Sequence, residues 1–440
     1  MAEERQSIFP AGQMLPFLLT TLIFFVWGMS NSLTDILVQQ FRKSLDLSLL
    51  QAQLVQTAVF LAYGTMAIPA GLLMRRFGYK AGLLVGLIVF GIGTLLFWPA
   101  AVLSQYLPFL CALFIVGSGS SILETAANPL IARFGHHSTS ERRLNFAQAF
   151  NPPGAISGVL IGTWFIFSGV DKKPAEVILM KAQGTYAAYL HSEILRVVPT
   201  YVILGLAVLL LAAVIGWTRF PVILDSNAEL DVTELATAQK WHGNIGKLLK
   251  NPRLMFSVLA QFFYVGTQIS TWSMFIPYMR TYSMASDKTA GYFLTASLVA
   301  MAIGRIVSTW LMRFISPTRM IGMYAVINFG LVCVGMSRPG MVGVYAILVT
   351  SFFMSVMYPT IFALGVHDLG EDTKIGGSLL VIGIVGGAVF PPLMGWIARL
   401  TGSVALGYGL AALGYVVVAL YAWSVLRSER RKRDRALQAA

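Results

Sequence analysis

A chain of 440 residues that is 56% hydrophobic and only 12% charged is excluded as an ordinary soluble domain, in which about 25% of residues are charged. Its formal net charge of +13 is spread over many short segments, so a basic nucleic-acid-binding face is excluded as well. The two cysteines, Cys111 and Cys333, both lie in apolar runs and exclude a disulfide framework.

A bilayer requires about 20 apolar residues per helical span. Twelve such stretches follow one another, at 15–40, 51–74, 80–101, 105–133, 143–169, 194–219, 253–281, 289–314, 319–337, 341–366, 374–399 and 403–426. They predict an all-α integral membrane protein of twelve transmembrane helices, numbered here as spans 1 to 12. The N-terminus lacks a signal-peptide pattern: Glu3 and Glu4 offset Arg5, and the apolar run is too long for an h-region.

Charge sets the expected orientation. The two tails and the 2–3, 4–5, 6–7, 8–9 and 10–11 connections hold 21 of the 32 Lys and Arg. By the positive-inside rule that side is cytoplasmic, with both termini on it. The C-terminal run Arg430-Arg431-Lys432-Arg433-Asp434-Arg435 reads as a topology anchor.

The longest connection divides the chain into a six-span half at 1–219, a cytoplasmic linker at 220–252, a second half at 253–427 and a basic tail at 428–440. Within the linker, Glu229 to Lys240 has the composition of a surface helix. Two echoes relate the halves. Leu73-Met74-Arg75 returns as Leu311-Met312-Arg313, and Pro152-Pro153 returns as Pro391-Pro392, at offsets of 238 and 239 residues. Paired six-helix repeats of this kind mark secondary transporters, whose sites lie near the bilayer midplane. At the 2–3 connection, Gly71, Arg75, Arg76, Gly78 and Lys80 form a glycine-and-base pattern that resembles the signature gating loop of the major facilitator superfamily. Arg75 stands where most members of that superfamily carry an acid.

Of the 19 Asp and Glu, only Asp35 and Glu124 fall inside apolar spans. An acid in hydrocarbon is costly unless paired, hydrated or neutralised, so such residues face a polar interior and carry function. Asn31, Thr34 and Asp35 share one face of span 1, and Glu124 and Asn128 are one turn apart in span 4. Gln148 and Asn151 precede the proline pair of span 5. In span 7, Gln261, Tyr264, Gln268 and Trp272 fall within an arc of about 80°.

This amide and aromatic stripe suits a sugar, whose hydroxyls need paired donors and acceptors and whose C–H faces pack on rings. A plainer alternative has the amides bonding between helices and Trp272 lying in an interfacial belt. The Gly376-Gly377, Gly383 and Gly386-Gly387 positions of span 11 fit close helix packing. Arg305, deep in span 8, either pairs with a carboxylate or snorkels; spacing does not decide. The five histidines lie in or beside loops, and no nucleophile–base pair or metal-ligand cluster stands out, so no enzyme and no resident cofactor is expected.

Longer motifs carry a family resemblance. They are Phe25-Val26-Trp27-Gly28-Met29 with Leu33-Thr34-Asp35-Ile36-Leu37, then Leu123-Glu124-Thr125-Ala126-Ala127-Asn128-Pro129. Arg143-Leu144-Asn145-Phe146-Ala147-Gln148-Ala149-Phe150-Asn151 and Gln261-Phe262-Phe263-Tyr264-Val265-Gly266 follow, with Tyr358-Pro359-Thr360-Ile361-Phe362 and Leu369-Gly370-Glu371-Asp372-Thr373-Lys374 near span 10. Together, over about residues 15 to 400, the chain resembles the fucose–galactose–glucose:proton symporters of the major facilitator superfamily.

The resemblance implies a monosaccharide importer of the bacterial inner membrane that works as a monomer by alternating access. Asp35 and Glu124 would be its cation-coupling acids. Asn31, Glu124, Asn128, Gln148, Asn151, Gln261, Tyr264, Gln268, Trp272 and Tyr358 would meet the sugar. The chain departs from the family pattern at Ser32, Thr34 and Met357 and in its Pro152-Pro153 pair. The sugar stays open among fucose, glucose, galactose and amino sugars. The coupling ion is H+, with Na+ at Asp35, Thr34 and Asn31 as the alternative, and a drug exporter of the same fold is the more distant one.

Overall fold

The computed structural model describes residues 12–134, 140–170, 172, 174–220, 248–366, 369 and 373–439. The predicted surface helix at Glu229–Lys240 lies outside them. Among the described residues the regular structure is helical, and nine helices are long and apolar enough to cross a membrane. The three spans outside that set are 2, 5 and 7; span 5 is broken, and span 7 carries the amide stripe.

The chain divides into two compact units. One comprises Met1–Ser48 and Ala58–Thr233; the other comprises Leu49–Thr57 and Glu234–Ala440. Leu49–Thr57 therefore groups with the second unit, although the sequence places it within the first half.

In the first unit, α1 (Met14–Ser44) is span 1. After α2 (Leu49–Ala52), which belongs to the other unit, α3 (Leu54–Leu95) holds spans 2 and 3. The junction of those spans is Gly78, whose φ of 84° is open to glycine at little steric cost. Next come α4 (Phe97–Leu103) and α5 (Tyr106–Arg133), the latter being span 4.

Span 5 is two helices, α6 (Ser140–Gln148) and α7 (Asn151–Ile161), closed by a π turn at Gly162–Ile166. Pro152 and Pro153 occupy the first turn of α7, where a missing N–H costs nothing. They start a helix here. The expected 5–6 loop contains α8 (Pro174–Ala182) and α9 (Tyr186–Leu195), followed by α10 (Val197–Trp217) as span 6.

Helices α1 and α7 meet backbone to backbone. A Cβ on Gly154 would collide with the Phe25 carbonyl, and one on Gly158 with the Met29 carbonyl. Near the far end of α1, Lys43 pairs with the buried Glu193 at 3.1 Å, while the Gln40 amide donates to the Glu193 carbonyl at 2.7 Å.

The second unit opens with α11 (Pro252–Ser273), capped by Asn251, whose side chain accepts from the Arg253 and Leu254 amides. It continues as α12 (Phe275–Ser283), α13 (Asp287–Leu311), α14 (Pro317–Ser337), α15 (Met341–Met354) and α16 (Met357–Val366). Span 11 is α17 (Thr373–Ile382), a 3-10 turn at Gly383–Val385, and α18 (Gly386–Thr401). Short α19 (Val404–Gly407) precedes α20 (Gly409–Ala439), which runs unbroken through the basic tail.

Prolines explain two hydrogen bonds by which Leu49–Thr57 attaches to this unit. A helical carbonyl accepts from the N–H four residues on, which proline lacks. Pro277 leaves the Ser273 carbonyl open, and the buried Gln53 amide donates to it at 3.4 Å. Pro392 leaves the Ala388 carbonyl open, and the Thr57 hydroxyl donates to it at 2.8 Å.

Candidate functional site

In the first unit, two side-chain ladders with helical spacing converge on one tyrosine. Trp27, Asn31 and Asp35 stand four residues apart along α1, and Ser120, Glu124 and Asn128 do the same along α5. Tyr63 of α3 joins them. The Trp27 indole donates to its hydroxyl, Asn31 and Ser120 lie within hydrogen-bonding reach of it, and Glu124 is close enough to act on it electrostatically. The motif order along the chain did not reveal Tyr63 or Ser120. The available signal was a phenol and a hydroxyl inside otherwise apolar spans.

The amide set continues from Glu124. Asn128 donates to the Glu124 carbonyl at 3.1 Å, and Gln148, at the end of α6, donates to Asn128 Oδ1 at 2.9 Å. The break between α6 and α7 therefore places Gln148 against α5. Asn151, on the other side of the break, turns to α1 and meets the Phe24 carbonyl at 3.5 Å. Glu124 is half-buried, whereas Asp35 is only 5% exposed, one turn beyond Asn31. The Thr34 hydroxyl donates to the Asn31 carbonyl within the same helix.

In the second unit, the span 7 stripe stays on one helix, α11, but its members differ. Gln261 is fully buried against Gly383, at the 3-10 turn of span 11, and among the described residues neither of its amide atoms has a hydrogen-bond partner. Tyr264 donates its hydroxyl to the Met354 carbonyl at 2.8 Å, where span 10 is interrupted. Gln268 reaches Met301 Sδ at 3.8 Å. The Trp272 indole donates to Ser351 Oγ at 3.1 Å, and Ser351 shares a 2.6 Å hydrogen bond with Ser297. Tyr358, half-buried on the first turn of α16, lies within electrostatic reach of Tyr264. The polar atoms of Tyr264 and Trp272 are thus committed to neighbouring helices, while the Gln261 amide is not.

The 2–3 connection is tight. Lys80 caps the end of α10, donating to the Gly216 carbonyl at 3.1 Å and the Thr218 carbonyl at 3.0 Å, the favoured place for a cation on a helix. Arg76 stacks on Phe77, and Gly71 has open space around it. Among the described residues no three His, Cys, Asp or Glu side chains come together as a metal site.

A family model described as the Major Facilitator Superfamily matches residues 17–374. The chain is 38% identical over 411 residues to the L-fucose-proton symporter of Escherichia coli strain K12, covering 93% of this chain and 92% of that one. It is 30% identical over 403 residues to the glucose/galactose transporter of Brucella abortus, covering 91% and 92%. Among solved structures, that of the transporter FucP in the outward conformation superposes with a TM-score of 0.69 at 38% identity, over 93% of this chain and 98% of that one.

Proposed function

The chain belongs to the major facilitator superfamily, and on that premise we propose that it is a cation-coupled symporter importing a hexose or deoxyhexose by alternating access under a proton gradient. It is a transporter and not an enzyme, as its relatives are. The observation that carries the reading is the group around Tyr63. It sets a titratable acid, Glu124, within electrostatic reach of a tyrosine that an indole and Asn31 hold, and starts the Asn128–Gln148 amide pair from the backbone carbonyl of that same acid. Such a group answers a sugar with rings and paired donors, and places the charge of the acid beside them.

Asp35 and Glu124 are the coupling acids. Protons on both remove charge that the low-dielectric interior penalises, which permits closure around the bound sugar. Release of sugar and protons on the far side resets the cycle. In the first unit the proposed sugar contacts are Asn31, Glu124, Asn128, Gln148 and Asn151; in the second, taken by itself, they are Gln261, Gln268, Trp272 and Tyr358. Tyr264 contributes its ring. The excess of bases on one side supports cytoplasmic termini, and in this reading the protein works as a single chain in the bacterial inner membrane.

The test is uptake of labelled D-glucose, D-galactose, L-fucose and N-acetylglucosamine into proteoliposomes, under a proton gradient alone and a sodium gradient alone. Accumulation driven by protons supports the reading and names the sugar. Accumulation that requires sodium at fixed pH reassigns Asp35, with Thr34 and Asn31, to cation binding. No accumulation of any of the four sugars under either gradient overturns it.

A further inference from the structure

Arg305 sits on α13 in the middle of a span, where a guanidinium without a partner is costly. Among the described residues its hydrogen bond goes to a backbone carbonyl and it has no carboxylate partner. The acceptor is Ser355, at 3.3 Å from Nε.

The reason lies in span 10. Helix α15 ends at Met354, the chain turns at Ser355–Val356, and α16 starts at Met357. A helical Ser355 carbonyl would accept from the N–H of residue 359, and residue 359 is proline. Helical pairing resumes at once afterwards, since the Thr360 amide donates to the Val356 carbonyl at 3.2 Å. An open carbonyl inside a membrane protein must find another donor, and here the donor is a side chain from the neighbouring span. The fit is close, because a Cβ on the adjacent Gly304 would collide with the Phe352 carbonyl of α15. One residue before the turn, the Met354 carbonyl receives the Tyr264 hydroxyl. Two consecutive carbonyls at the interruption are therefore held from spans 7 and 8.

We propose that Arg305 is a positioning residue: its guanidinium replaces the N–H that Pro359 lacks, fixes the interruption of span 10 at Ser355, and so sets Tyr358 on the first turn of α16 for sugar binding. The last step rests on the reading of Tyr358 as a sugar contact. The geometry at Ser355 does not. A charged donor to a carbonyl makes a stronger bond than a neutral one, which suits a position held under load.

The experiment is a double-mutant cycle of Arg305→Met and Pro359→Ala, with Arg305→Lys as the conservative variant. Two quantities are measured: the thermal midpoint of the purified protein without sugar, and KM and kcat for uptake of whichever sugar the wild type accumulates. Arg305→Met raises KM about tenfold, with a smaller change in kcat, while Arg305→Lys stays within about threefold of wild type. In the Pro359→Ala background an alanine N–H reaches the Ser355 carbonyl, and Arg305→Met loses most of its effect on both readouts.

Equal effects of Arg305→Met in the two backgrounds overturn the proposal, as does a loss confined to kcat. If Arg305→Met yields no folded protein, recovery of folded protein in the double variant supports the proposal and continued failure overturns it. If the wild type moves no sugar, the functional reading falls while the thermal cycle still decides whether Arg305 caps Ser355.

Discussion

The Trp27 indole donates its N–H to the Tyr63 hydroxyl, tying α1 to α3 beside Glu124. Replacing Tyr63 with Phe keeps the ring and removes the acceptor, leaving a part-buried N–H without its partner. We expect a loss of about 1–3 kcal/mol in stability. Sugar affinity should fall with it, because Asn31 loses the same partner. Thermal unfolding and equilibrium binding check the two effects separately.

Asp35→Asn should abolish uphill accumulation of sugar while sparing exchange of internal for external sugar. A neutral side chain at this position can accompany the loaded carrier across but cannot release a proton to reset it. Exchange and net uptake measured in the same proteoliposome batch distinguish the steps. Wild-type behaviour in both would remove Asp35 from the coupling role.

Glu124→Gln should weaken sugar binding and flatten its dependence on pH. The substitution preserves shape and replaces a titrating group with a fixed neutral one in contact with the Asn128 and Tyr63 neighbourhood. Binding isotherms across a pH series carry the test. Unchanged affinity at every pH would sink the assignment.

Two glycine substitutions separate packing from mere helix propensity. Gly158→Leu forces a side chain against the Met29 carbonyl and should destabilise by about 1–3 kcal/mol or more. Gly330→Ala, in the interior of α14 with nothing within 4 Å, should be neutral or slightly stabilising. Midpoints of thermal unfolding compare them directly.

Much of this was legible in the residues because the bilayer imposes strict rules. An acid inside a span has to be functional or neutralised, which singled out Asp35 and Glu124 among 19 carboxylates. Spacing along one helix then joined Glu124 to Asn128. Periodicity could not reveal what stands opposite a face. The span 7 stripe reads as one surface, yet Tyr264 and Trp272 donate to Met354 and Ser351, and among the described residues only Gln261 keeps both amide atoms unpartnered. Arg305 stayed ambiguous for a similar reason. Its acceptor exists only because a proline in another span opens a carbonyl. Tyr63 was missed because a single phenol in an apolar run carries no pattern.

The acceptors left by Pro277 and Pro392 also make a statement about how this sequence is free to vary. A carbonyl takes a hydrogen bond from any donor that reaches it, so position 53 needs an N–H or O–H at amide length and position 57 one at hydroxyl length. The identities Gln and Thr are secondary to that requirement. Replacement of Pro392 by a residue with an N–H would relieve position 57 of its duty, and Val would then serve there as well as Thr. Among related chains, a proline at 277 or 392 and a donor at 53 or 57 should accordingly be gained and lost together, a pairwise pattern set by one missing hydrogen atom.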